Sequence, residues 1–563
     1  MKKRLFGAAL AVAAAVLTTV SLPPAALTLE TPFSDGTIPG IVHVHTNRSD
    51  GRGTPDEIAA AAARAGLKFV VFTDHGDATR PPDAPAYRSG VLCLDAVEIS
   101  TTGGHYLALD MPASPYPLGG EARDVAEDVK RLGGFGVAAH PNSPKPTLSW
   151  RDWDAPFDGV EWLNPDTSWR IKLRQSGWRQ GWNVITTLSA YAFRSPETVT
   201  RLLGDTGIGA AAWESFAHQR RVVLLAGADA HANLPLTSGD PSDTGFALPI
   251  PSYETTFRVL SIRVRPDRPL TGEAVRDATT IMQAIRRGHL YVAIDGRATP
   301  PAFQFTATNA RGTAGAGDAL ESGGSVTLRI RSNAPSSFVT RLWRDGEPIA
   351  EARDEVDLTR TVPDGPAVYR AEIVTAAGPG AIPWIISNPI YVGVTFPAAA
   401  PPPAATESRL LFDGQATKWW RSEVSPQSSL GLDATPAGEL RIRYQLSSVN
   451  PPGPYAAAGV ELPDGAAPSD RLSFTARADR PMRLSVRFRR VGPPAEHWQR
   501  SVYIDETPRD RTIRFADVTA VDAARTPQPV PRDIHDILFV VETTNSKAGS
   551  AGQVWLQNVR LQR

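Results

Sequence analysis

The chain of 563 residues contains a single cysteine, Cys93. That scarcity excludes an internal disulfide, so every domain must stand on core packing. Cys93 lies far from the start, which excludes a lipid anchor of the bacterial lipoprotein kind, and no local motif marks it as a nucleophile. Charge of one sign is missing too: 59 basic and 59 acidic residues cancel, and no long block of like charge occurs. A nucleic-acid surface needs excess cations to neutralise phosphates, so no nucleic-acid partner is expected. The length leaves room for roughly two to four domains with large cores.

The first residues read as a targeting segment. Lys2-Lys3-Arg4 forms a basic start, Leu5–Leu22 carries no charge, and small residues surround Pro24–Ala26. This predicts a signal peptide over residues 1–26 and export to a periplasm or the cell exterior. Left uncleaved, a segment of that length would tether the protein to a membrane.

What the chain does have is histidine in telling places. Six of its 10 histidines fall in short motifs: His43-Val44-His45, Thr73-Asp74-His75, His105, Ala139-His140-Pro141 and Asp229-Ala230-His231. Most of these motifs close short apolar stretches that read as strands: Ile41–His45, Lys68–Phe72, Phe135–Ala139 and Val222–Leu225. Alternation along a strand puts i and i+2 on one face, so His43 and His45 are expected to converge. Imidazole and carboxylate suit first-row divalent metals, and parallel α/β barrels build sites at strand C-terminal ends. With Asp50, Glu98 and Asp229, the set predicts a hydrolytic metal centre.

The order H-x-H, S-D-G, T-D-H, V-E-I-S, A-H-P and G-x-D-x-H resembles the polymerase and histidinol phosphatase (PHP) superfamily over residues 38–298. That resemblance implies a distorted (β/α)7 barrel and two or three divalent cations (Zn, Mn or Fe). It implies one metal on His43, His45, Glu98 and Asp229. A second would share Glu98 and add His105 and His140, and a third would use Asp50, His75 and His231. Asp74 resembles a carboxylate that orients an imidazole. Asp229 or Asp74 would accept a proton from water, and Arg48 would face an anionic substrate. Neutral net charge and the lack of a polymerase-sized remainder argue against the polymerase-associated form.

The first βα unit is explicit: Thr54 caps, Pro55 opens the helix, Asp56 and Glu57 fill its first turn, and Gly66 stops it. Thr279–Arg287, ending at Gly288, reads as the last barrel helix. Glu161 and Asn164 end a fifth strand, Gly159–Leu163, and face the same mouth. Between Trp150 and Trp213 lie seven of the 13 tryptophans, Trp150, Trp153, Trp162, Trp169, Trp178, Trp182 and Trp213, with Arg170, Arg174 and Arg179 among them. They would wall the pocket or pack a lid.

Beyond the barrel the pattern becomes all-β. Residues 299–395 read as a β-sandwich, 396–406 as a Pro/Ala linker, and 407–563 as a jelly roll resembling carbohydrate-binding modules. In that last domain Trp419, Trp420, Tyr455 and Trp498 are candidates to stack on sugars. The expected fold is thus multidomain: an α/β distorted (β/α)7 barrel followed by two all-β domains. The signal peptide, barrel, tryptophan-rich insertion and sandwich ending in I-S-N-P-I-Y-V are similar to the carbaryl-hydrolase branch. The readings are a phosphoester hydrolase, an aryl carbamate or carboxylate ester hydrolase with the same centre, and a glycan-binding protein with a non-catalytic barrel.

Overall fold

The computed structural model describes residues 22–174, 187, 189–204, 213, 215–235, 247–353, 357–375, 382–396, 405–412, 414, 419–449, 453–490, 492, 495–521 and 526–563. Most of the expected signal peptide, most of the Pro/Ala linker, Trp178, Trp182 and Arg179 lie outside the described residues.

The described residues are mostly β-sheet. Eight strands of the N-terminal part frame the site: β1 (Ile38–Val44), β2 (Phe69–Phe72), β3 (Val91–Asp95), β4 (Val97–Thr101), β5 (Gly104–Leu109), β6 (Phe135–Ala138), β7 (Gly159–Leu163) and β8 (Val223–Ala230). β1 runs parallel to β2, and β2 to β3. Only Ala96 separates β3 from β4, which meets β5 antiparallel; β5 meets β6 antiparallel. Parallel pairing resumes from β6 through β7 to β8, and β8 returns to β1. The pairings close a ring. Its antiparallel steps at β4–β5–β6 interrupt strand–helix alternation, and seven regular βα units are not shown.

Helices α1 (Pro55–Arg64), α2 (Ala122–Arg131), α3 (Pro165–Arg174), α4 (Ser195–Leu202), α5 (Tyr253–Phe257) and α6 (Ala274–Arg287) pack around it. α1 starts as the sequence dictates. The Thr54 hydroxyl accepts from Glu57 N–H while the Glu57 carboxylate takes the Thr54 amide, a capping box with Pro55 at the first turn. α6 ends where Gly288 adopts φ 72°, a left-handed cap that glycine takes without Cβ strain. It begins five residues before the expected Thr279, because Asp277 accepts the Thr271 and Gly272 amides and so organises the turn before the helix.

The sheet does not stop at the expected 298/299 boundary. β9 (Ser261–Val264) pairs with β10 (Leu290–Ala293), and β10 pairs with β11 (Ile385–Ser387) of the following sandwich. Asn388, next to β11, accepts from Leu224 N–H and donates to the carbonyls of Leu224 and Leu290. The I-S-N-P segment thus ties the sandwich to the strand that carries Asp229. The sandwich's other sheet is four-stranded, and its core contains Phe303, Phe305, Ile330, Tyr369 and Trp384.

The C-terminal domain is two six-stranded sheets around a core that includes Phe474, Phe488, Trp498 and Phe539. One of these sheets contains β12 (Met482–Arg490) and β13 (Glu496–Ile504), paired antiparallel. Met482, Leu484, Val486 and Phe488 alternate into the core, so Arg483, Ser485, Arg487 and Arg489 face outward.

Candidate metal centre

All nine sequence-predicted ligands meet inside one end of the ring. His43 and His45 leave β1, His75 follows β2, Glu98 lies on β4, His105 on β5, His140 follows β6, and Asp229 and His231 end β8. Four clusters result: His45 with Asp50, His75 and His231; His43 with Glu98 and His140; His43 with His45 and Asp229; and His75 with Glu98 and His105. Each cluster has its ligand atoms within 4.8 Å of one another.

The route to this convergence is not plain strand alternation. His43 has φ 63°, His140 φ 27° and Asp229 φ 50°, all left-handed values that non-glycine residues rarely hold. The register of β1 against both neighbours shifts at this point, between Ile41 and Val44 on one side and Gly227 and Ala230 on the other. Bulges re-aim side chains, and strain of this kind collects at functional sites. His105 reaches the centre through a tight β4–β5 turn that sets it opposite Ser100.

His43 and His45 meet the same two carboxylates at separations that ligands of one cation would have. His43 Nε2 lies 3.2 Å from Glu98 Oε2 and 3.3 Å from Asp229 Oδ1. His45 Nε2 repeats both distances, 3.2 and 3.3 Å, to the same two oxygens. Ligands about 2.0 Å from one cation in a tetrahedron stand about 3.3 Å apart. The other oxygen of Glu98 lies 2.7 Å from His105 Nδ1 and 2.9 Å from His140 Nε2, so this carboxylate serves two groups of imidazoles. Asp50 Oδ2 lies 3.3 Å from His231 Nε2 and 3.6 Å from His75 Nε2.

Burial makes this arrangement costly without a cation. Glu98, His43 and His45 are almost wholly removed from water, yet His43 Nε2 and both ring nitrogens of His45 have no hydrogen-bond partner among the described residues. Desolvation opposes charge on His43, but Glu161, Asp229 and Glu98 outweigh it and raise its pKa well above the ordinary value. His231 is likewise pushed up to about 9, desolvation being overcome by Asp229 and Asp50. Burial would raise Glu98 and Asp229, yet the surrounding imidazoles hold both well below the usual carboxylate range. The pocket demands positive charge, and its unpaired nitrogens suit a divalent metal better than protons.

One structural partner was visible in the sequence without an assigned role. Glu161 Oε1 lies 2.5 Å from His43 Nδ1, leaving Nε2 for the centre, while Oε2 accepts from His140 N–H. Asn164 caps α3 by accepting from Thr167 N–H, and its Nδ2 donates to Glu161 and Asp229. Gly227 leaves the room: a Cβ there would sit 1.6 Å from Glu161 Oε1. The only advance signal was that Glu161 and Asn164 close a strand at the same rim as the other motifs.

Two expected roles do not fit. Asp74 orients no imidazole; its carboxylate accepts from Thr46 N–H and from the hydroxyls of Thr46 and Ser49. It braces the turn between His45 and Asp50. Arg48 pairs with Asp83 and Asp95 and borders a separate cavity of about 210 Å³. Those carboxylates fix it away from the main pocket.

That main pocket, about 450 Å³, is bordered by seven of the nine expected metal ligands together with Lys145 and Arg170. Arg170 is half-buried, held by Asp166 at 2.5 Å with its guanidinium 4.7 Å from the Trp169 ring. No tryptophan is among the described residues that border this pocket. Trp150, Trp162, Trp169 and Trp213 are buried in the protein, and Trp153 stacks on Phe216.

No protein-family model matches the chain. An uncharacterized protein of Methanocaldococcus jannaschii is 29% identical over 137 residues, covering 22% of this chain and 80% of that protein. Among solved structures, a family 11 carbohydrate-binding module of a Clostridium thermocellum cellulase aligns with 28% of this chain and 95% of its own, at 18% identity and TM-score 0.23. The agarase AgWH50C aligns over 28% of this chain and 24% of its own, at 14% identity and TM-score 0.21. At these scores the likenesses carry no argument about ligands. In the C-terminal domain itself, Trp420 and Trp498 are core residues rather than sugar platforms. Among the described residues, no helix is long and apolar enough to cross a membrane.

Proposed function

We propose that this chain is a metal-dependent hydrolase of PHP type acting on phosphoesters. The observation that carries the reading is the set of four contacts, 3.2 to 3.3 Å, from His43 and His45 Nε2 to one oxygen each of Glu98 and Asp229. His105 and His140, both beside the second oxygen of Glu98, would hold another cation, and Asp50, His75 and His231, which cluster with His45, a third. Bound there, divalent cations would acidify water and polarise a phosphoryl oxygen. Glu161 fixes the His43 tautomer and Asn164 orients Asp229, so both ligands are set before a cation arrives. Asp229 is the remaining candidate to accept a proton from water, since Asp74 is occupied elsewhere. The ring would then be a distorted form of the seven-unit α/β barrel, in an exported protein.

Phosphoester cleavage is preferred to aryl ester cleavage by the wall of the pocket. Arg170 and Lys145 offer cations to a dianion, whereas an aryl group would find no indole among the described lining residues. Competing p-nitrophenyl phosphate against a naphthyl carbamate at equal concentration tests the choice. Preference for the phosphate, weakened at least tenfold by Arg170→Ala, is the expected result. Preference for the carbamate, unaffected by Arg170→Ala, would overturn it.

A further inference from the structure

The outer face of the β12–β13 sheet does not stand open. It lies against α2 and the loop before it. Arg483 Nε donates to Asp128 at 2.8 Å, and its Nη1 lies 3.2 Å from Asp124. Ser501 donates to Asp124 through both its amide (2.8 Å) and its hydroxyl (2.6 Å). Gln499 Nε2 donates to Glu121 at 2.7 Å, and Arg500 to Glu127 at 2.6 Å. Asn545 donates to the carbonyls of Pro117 and Gly119, and the Arg131 guanidinium sits 3.6 Å from the Tyr503 ring centre. Arg483, Asp124 and Asp128 are all buried. Charges are seldom buried unless paired, and removing one partner leaves the others uncompensated.

The segment clamped in this way leads to the metal ligands in two directions. Gly120, beside the clamped Gly119 and Glu121, accepts from Thr102 N–H at 2.8 Å, in the turn that joins the Glu98 strand to the His105 strand. In the other direction α2 ends at Arg131 and runs through Gly133 and Gly134 into β6, which delivers His140. His105 and His140 are the two imidazoles that meet the same oxygen of Glu98, and on the metal reading the three residues would hold one cation.

We propose that the C-terminal β-domain is a docked clamp on the metal domain, with Arg483 its central positioning residue, and that this clamp sets the Glu98–His105–His140 group. The part of the proposal that concerns cations rests on the metal reading above. The clamp itself does not. The outward sheet face carries this contact and, beside it, an ion network of Arg421, Glu423, Arg489 and Asp536.

The test uses the full chain with Arg483→Leu, Arg483→Lys and the milder Asn545→Ala. Amide hydrogen exchange is followed without metal, and Mn²⁺ or Zn²⁺ uptake is measured separately. Arg483→Leu should speed exchange at least tenfold across residues 97–109 and 117–131, leave the C-terminal core strands protected, and cost about one equivalent of metal. Asn545→Ala should move the same amides less, and Arg483→Lys should partly restore them. Faster exchange confined to the seam, with 97–109 and metal uptake as in the parent, would overturn the proposal. A parent chain that takes up no metal would remove the metal reading, while the exchange arm would still decide whether the clamp reaches the hairpin.

Discussion

Two buried clusters of acids in this protein solve the same electrostatic problem differently. At the seam between domains, Asp124, Glu127 and Asp128 meet the guanidinium groups of Arg483 and Arg500. In the ring, Glu98 and Asp229 meet only imidazoles in ion-pair range among the described residues, and several ring nitrogens have no hydrogen-bond partner there. Arginine is permanently charged and closes its cluster; histidine can give up its proton and leaves its cluster open to another cation. On the metal reading proposed above, the base that neutralises the acid distinguishes the two clusters.

The largest break in that comparison should come from Glu98→Gln. It removes the carboxylate shared by two groups of imidazoles, so metal content should fall by more than one equivalent and turnover by several orders of magnitude. Full occupancy with a near-normal rate would leave Glu98 a purely structural residue.

Glu161→Gln should act less severely, because the amide oxygen can still accept from His43. A loss of about 10- to 100-fold in metal affinity is expected from such a supporting carboxylate. An unchanged affinity in a metal titration would show that the His43 tautomer needs no fixing.

A smaller effect belongs to the seam. Burial, with Asp124 and Glu542 nearby, pushes Glu121 up to about 7, although Gln499 donates to it. Arg487 faces the same place, bonded to Gln499 and Glu542. A carboxyl raised in the docked state favours docking fully below its ordinary pKa, and that contribution is lost as pH rises through 7. The thermal stability of the parent should therefore show a component that declines over pH 4.5–7, and Glu121→Gln should flatten it. An identical pH profile for the variant would remove Glu121 from the seam's energetics.

Smallest of all should be Arg48→Ala. With its guanidinium held by Asp83 and Asp95, its loss should leave kcat/KM for a phosphate ester within about twofold; a tenfold fall would return Arg48 to the substrate.

Much of the candidate site was legible because most of its motifs close an apolar run, and strand ends converge in a closed sheet. The pairing of His43 with His45 followed from strand alternation, and their grouping with Glu98 and Asp229 from the family resemblance. The bulge that turns His43 could not be read there, since it depends on Gly227 leaving room for Glu161. Arg48 misled because a sequence neighbour of Asp50 need not share its cavity; Asp83 and Asp95 come from other segments. The tryptophans read as a pocket wall or a lid, but only packing decides their place: those described are largely buried and none borders the main pocket. Least legible was the seam. Polar residues alternating on β12 and β13 look like a solvated face until α2, more than 350 residues earlier in the chain, is seen against them.

The central claim, that the ring is a multinuclear metal centre, is tested most directly by elemental analysis of the purified, dialysed full chain beside Glu98→Gln. Two or three equivalents of Zn, Mn or Fe in the parent, and at least one fewer in the variant, is the predicted result. A parent chain that holds no divalent metal after incubation with each of the three would contradict it.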